Sequence, residues 1–112
     1  MIDIKLTQLG LKIKNLVVID LSFPHGVFPE FKKVYDPRYL WMPCRKELVL
    51  PFASGLASFG KLVLVYGLAD AELKEMEPTV NVKVLRPSPE GTWQDFEESL
   101  RRFGPEVLLI PE

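Results

Sequence analysis

The chain has little with which to perform specialised chemistry. Among its 112 residues there is one cysteine, Cys44, and one histidine, His25. A lone cysteine excludes an internal disulfide and is expected of a protein kept in a reducing compartment. With a single histidine beside it, a Cys/His zinc site is excluded too. No apolar run approaches the roughly 18 residues that a membrane span needs, and the first residues interleave charge with apolar groups. Neither secretion nor membrane insertion is expected, and a cytoplasmic location is. The seven glycines form no phosphate loop. The turn Gly67-Leu68-Ala69-Asp70 has neither G-x-G-x-x-G spacing nor a G-K-[ST] ending, so no NAD, ATP, other cofactor or metal is indicated. Asn and Gln together occur four times against ten prolines, a scarcity of thermolabile residues that suits a thermophile.

What the chain does have is apolar runs separated by helical spacing. At this length it is read as one domain, residues 1–112, burying roughly two-thirds of its unfolded surface. Leu16-Val17-Val18-Ile19, Leu62-Val63-Leu64-Val65-Tyr66 and Val107-Leu108-Leu109-Ile110 are continuously apolar, as strands buried on both faces are. Val80, Val82 and Val84 alternate with Asn81 and Lys83, as in an edge strand. Between the last two strands, Trp93, Phe96, Leu100 and Phe103 fall on one helical stripe. That helix is bounded by Thr92 as N-cap and by Gly104-Pro105 as its stop. Pro29 to Tyr35, Pro51 to Phe59 and Ala69 to Met76 read as further helices. Ile2, Ile4 and Leu6 alternate with Asp3 and Lys5, which predicts a half-buried strand ended by Gly10, and Leu11–Lys14 continues the alternation.

These elements predict an α/β fold: a single three-layer domain with a mainly parallel sheet of four to five strands. With strands at 16–20, 62–66, 80–85 and 106–110, the favoured order is third, second, first, fourth, a Rossmann-like half. The segment after Asp20 then lies over the carboxyl ends of the strands, where open α/β sheets bind ligands.

Function is to be sought in that segment, a proline- and aromatic-rich excursion at 23–45. It holds Phe23, Phe28, Phe31, Tyr35, Tyr39 and Trp41, six of the chain's twelve aromatics. Lys32, Lys33, Arg38 and Arg45 are interspersed among and after them. Aromatic faces beside cations suit docking of a partner protein or stacking on bases. The plainer alternative is that the aromatics pack the excursion onto one end of the sheet. A protein partner is favoured over nucleic acid because residues 30–47 carry five positive groups against three negative, only +2. Residues 1–67 hold nine Lys or Arg against five Asp or Glu while residues 68–112 hold five against ten, an asymmetry that interleaved strands are expected to neutralise.

Asp20, Ser22 and His25 form the one acid, hydroxyl and imidazole grouping near a strand end, where general acid–base chemistry is commonly placed. Asp20 at such a position is also commonly a turn or cap residue. Leu40 to Leu48, with Pro43-Cys44-Arg45-Lys46-Glu47-Leu48, resembles part of a thioredoxin-like redox motif. Trp41 stands where that family's nucleophilic cysteine belongs, so dithiol exchange through an internal disulfide is excluded and Cys44 is read as a partly buried structural thiol.

The leading expectation is a non-catalytic cytoplasmic binding module or accessory subunit that contacts a macromolecular partner through Tyr39, Trp41, Arg38, Arg45, Lys32 and Lys33. The first alternative is a small hydrolase or transferase using Asp20 and His25. The second is a structural homo-oligomer, and a homodimer is expected in any case to cover the sheet edges and the aromatic excursion.

Overall fold

The three continuous apolar runs form the centre of the sheet. A computed structural model of the chain describes residues 2–43, 46–76, 82–84, 98–102 and 104–111. Its elements are α1 (Ile2–Lys12), β1 (Leu16–Asp20), α2 (Pro29–Val34), a short 3-10 turn (Asp36–Arg38), β2 (Tyr39–Trp41), α3 (Lys46–Ser58), β3 (Leu62–Leu68), α4 (Asp70–Met76), β4 (Val82–Val84) and β5 (Val107–Pro111). Residues 98–101 are helical. The five strands are all parallel, in the order β2-β1-β3-β5-β4.

The class is the expected α/β sandwich, but the strand order is not the expected one. In the numbering of the sequence reading it runs first, second, fourth, third, with an additional strand beside the first. Burial decides this: a strand without a polar residue is stable only between two others. The favoured order placed Val107–Ile110 at an edge, whereas these four residues are fully buried between β3 and β4. The edges go instead to the alternating β4 and to β2, a three-residue strand inside the excursion that its length and the preceding Pro37 conceal.

Side chains alternate between two cores. Leu16 and Val18, Leu62 and Leu64, Leu108 and Ile110 face α1, α2 and Leu100. Ile19, Val63, Val65, Val107 and Leu109 face α3 and α4. Each reversal of direction along the sheet is matched by a change of face, as a constant crossover hand requires. The step from β1 to β2 passes through α2 on one face, and the returns to β3 and then β4 pass through α3 and α4 on the other.

The first residues are a helix, not a strand. Asp3, Leu6, Leu9 and Gly10 are buried while Ile4 and Leu11 are exposed, a spacing of three to four that outweighs the alternation of Ile2, Ile4 and Leu6. Gly10 does not break the chain: it sits inside α1 as a notch, where a Cβ would come within 2.6 Å of Tyr35. Tyr35 spans that notch to donate its hydroxyl to the Thr7 carbonyl at 2.8 Å. Asp3 in turn caps α2, accepting from the N–H groups of Glu30 at 2.9 Å and Phe31 at 3.0 Å, because Phe28 at the N-cap offers no side-chain oxygen.

α3 starts before Pro51 rather than at it, with Pro51 inside the helix, held by the buried side chains of Val49 and Ala53. The helices expected at Pro29 and after Ala69 are present. Leu100 of the expected late stripe is fully buried. Trp93, Phe96 and Phe103, with the strand ends at 80, 81 and 85, lie outside the described residues.

Candidate functional site

At the carboxyl end of β1 the chain turns over the sheet edge, and one carboxylate organises that turn. Asp20 is fully buried. Its Oδ1 accepts from the Ser22 N–H at 3.0 Å. Its Oδ2 accepts from the Val27 N–H at 2.7 Å and from the Tyr39 hydroxyl at 2.7 Å. These bonds tie loop residues 21–28 to β1 and β2. Burial, the bond to Asp20 and the negative charge of Asp20 raise the Tyr39 phenol well above its ordinary range, so Tyr39 is held as a neutral donor. Gly26 lies so close to Tyr39 that any Cβ would collide with the hydroxyl.

The same loop fills the crevice at which a ligand would be sought. β1 sends its connection to one face of the sheet and β3 sends its own to the other, so their carboxyl ends flank a topological switch point. Leu21 donates its N–H there to the Tyr66 carbonyl at 2.9 Å. Phe28 packs edge-on against Tyr66 with ring centroids 5.3 Å apart. Gly67, at φ +109°, admits Leu21: a Cβ would lie 3.1 Å from the Leu21 backbone.

The basic and aromatic residues of the excursion separate. Arg38 points inward, donating to the carbonyls of Leu16 at 2.8 Å, Gly10 at 3.1 Å and Ile13 at 2.9 Å. Its guanidinium lies 4.4 Å from the centroid of the Tyr35 ring. It thus covers the carboxyl end of α1 and fixes the start of β1. Tyr39 is buried under the loop, while Lys32 and Lys33 are exposed on α2. His25 is exposed with Nδ1 3.2 Å from the Gly26 carbonyl oxygen. Arg45 and Cys44 lie outside the described residues.

Of the residues named as binding candidates, Trp41 is the aromatic on the surface. It is 46% exposed, with its indole N–H anchored on the Ser22 carbonyl at 2.7 Å. Phe23 on the adjoining loop is 76% exposed, and Val27 is exposed with it.

A second apolar surface went unrecognised in the sequence. α3 runs from the carboxyl end of the sheet, just after β2, back along one face. Its outer side carries Leu48, 47% exposed, and Phe52, 40% exposed, with Phe59 just beyond its end at 86%. From Leu48 to Gly60 the sequence contains no ionisable side chain. A surface helix normally sets charged residues opposite its buried stripe, and their absence from α3 after its first two residues, Lys46 and Glu47, was the available signal.

No protein-family model matches the chain, and no curated protein matches its sequence. Among solved structures, a split gene transketolase in an inactive β4 tetramer superposes on 97% of the chain with a TM-score of 0.67 and 16% identity. The chain spans 48% of that protein's chain, about half its length. At this identity the likeness is one of fold: an α/β domain with a parallel sheet. Among the described residues, no group of three side chains is placed to hold a metal ion, and no helix is long and apolar enough to cross a membrane.

Proposed function

We propose that the protein is a non-catalytic α/β interaction module, cytoplasmic in location, that docks a protein partner at the carboxyl end of its sheet and along α3. The observation that carries this reading is the contrast between consumed polar groups and exposed apolar ones. Asp20 and Tyr39 are saturated by each other and by the loop, and Arg38 by three carbonyls. Phe23 and Trp41 are presented to solvent from the loop and strand that the Asp20 bonds hold in place, and Leu48 and Phe52 from α3, which is anchored by the buried Val49 and Ala53. A tryptophan such as Trp41, set among apolar neighbours on a pre-organised frame, is a typical protein–protein hot spot.

The first partner to test is a second copy. An isologous contact sets a surface against itself, and an uncharged face meets no like charge across the two-fold axis. The structural neighbour's assembly as a tetramer is in keeping with this. Sedimentation velocity between roughly 1 and 100 µM covers interfaces worth about 5.5–8 kcal/mol. The wild type is expected to associate in that range, and Phe52→Glu and Trp41→Ala to shift it to monomer. A wild type that stays monomeric throughout, or variants that associate equally well, would overturn self-association through this surface.

A further inference from the structure

The two edges of the sheet, β2 and β4, are protected unequally. β4 carries the exposed Lys83, and a lysine on an edge strand discourages other strands from pairing there. β2 has no such residue. From Tyr39 to Pro43 no side chain is charged, and the preceding cation, Arg38, is turned inward onto the carbonyls of Leu16, Gly10 and Ile13.

The register fixes which backbone groups of β2 face outward. Asp20 pairs with Trp41, and its carbonyl accepts from the Met42 N–H at 2.9 Å. In a parallel ladder Leu40 therefore turns its N–H and C=O towards β1, as Met42 does its N–H, and Tyr39 and Trp41 turn theirs to the open edge. The Tyr39 N–H is returned to the Asp36 carbonyl by the 3-10 turn. Pro43, the next outward position, has no N–H. Trp41 thus presents the edge's one complete pair of main-chain groups, and among the described residues neither its N–H nor its C=O is bonded.

We propose that a second copy pairs with this edge in the antiparallel sense, each Trp41 facing its counterpart across a two-fold axis, so that the sheets continue into one another with five strands from each copy. This rests on the self-association proposed above and names the surface that produces it. Self-complementarity commits the edge to a second copy. With the axis at Trp41, each Trp41 N–H donates to the other's carbonyl, the hydrogen-bonded pair of an antiparallel ladder with Cα atoms about 5.5 Å apart. The indoles then lie side by side on one face, and on the other Leu40 of each copy meets Met42 of the other. Tyr39 lies opposite Pro43, whose missing N–H ends the ladder at both sides. No like charges are brought together. Trp41 is exposed and its indole is already held by the Ser22 carbonyl, so pairing costs little side-chain freedom. A flexible peptide would have to be ordered to gain the same pair of bonds, whereas a second copy brings an edge that is already ordered.

The test is hydrogen exchange of the segment from Tyr39 to Met42, read by mass spectrometry on the whole chain at roughly 1 and 100 µM beside sedimentation at the same concentrations. The Leu40 and Met42 N–H groups are bonded within the sheet, so the fast strand amide is that of Trp41. It is expected to exchange about fivefold or more slowly at the higher concentration, as the associated fraction rises. In Trp41→Ala, which keeps the N–H and loses the association, the rate should be the same at both concentrations. Association in the wild type with an unchanged Trp41 rate would overturn edge pairing and leave association through α3 standing. An amide already slow in the monomer would overturn it too, since its bond would then lie within the chain. A wild type that stays monomeric, with this amide fast throughout, would overturn both readings and leave the edge to a strand of another protein.

Discussion

Replacing Asp20 distinguishes a structural carboxylate from a catalytic one by the sign of its effect on stability. In Asp20→Ala three donors lose their acceptor at once: the N–H groups of Ser22 and Val27 and the Tyr39 hydroxyl. A hydrogen bond to a charged group contributes about 1.5–3 kcal/mol net, and a buried donor left unsatisfied costs about 1–3 kcal/mol. The three do not add in full, because loop residues 22–27 are partly exposed and their N–H groups can turn to water once released. The Tyr39 hydroxyl cannot do so without opening the loop. A loss of about 3–5 kcal/mol follows, a large share of the roughly 5–15 kcal/mol that holds a domain folded. Asp20→Asn keeps the shape but sets an amide NH₂ against an N–H donor, for a loss of about 2–3 kcal/mol, and Tyr39→Phe removes one donor for about 1 kcal/mol. Urea unfolding followed by circular dichroism, with a common slope across the series, measures all three. A catalytic carboxylate held away from its best packing would give the opposite result, since active-site groups are commonly stabilised by removal. An Asp20→Ala variant that loses less than about 1 kcal/mol, or gains stability, would refute the reasoning and return the hydrolase reading with His25 to favour.

Gly10→Ala should destabilise by about 1–3 kcal/mol despite the better helix propensity of alanine, since its Cβ meets the Tyr35 ring at 2.6 Å. Gly55→Ala, where a Cβ meets nothing within 4 Å, should stabilise by up to about 1 kcal/mol, and thermal melts of the two variants check the pair. Asp3→Ala uncaps α2 and should lose about 1–2 kcal/mol in the same urea series. The raised phenol of Tyr39 contributes stability that is complete below the unfolded value of about 10 and is lost as pH rises above it, because the unfolded chain releases the proton and the folded chain retains it. Urea midpoints at about pH 8 and pH 11 should therefore fall more in the wild type than in Tyr39→Phe.

The sheet was legible wherever burial on both faces wrote itself as a run of apolar residues: β1, β3 and β5 announce themselves. Their order was not, because three strands buried on both faces need three interior places and the four strands read from the sequence offer two; the fifth strand, β2, supplies the missing edge. β2 was not, since three residues after Pro37 cannot show a period. α1 was misleading for a physical reason. Ile2, Ile4 and Leu6 satisfy alternation, while the helical stripe of Leu6, Leu9 and Ile13 is interrupted by a glycine whose purpose is a tyrosine 25 positions along the chain.

For the site, composition located the aromatic excursion but could not tell which side chains turn inward. Arg38 reads as a surface cation and is spent on carbonyls 22 to 28 residues away. Tyr39 and Trp41 stand on the same side of β2 by parity, and the loop latched by Asp20 covers the first while leaving the second in solvent. Lys32 and Lys33 stay exposed on α2, so among the excursion's described cations Arg38 is the one that turns inward.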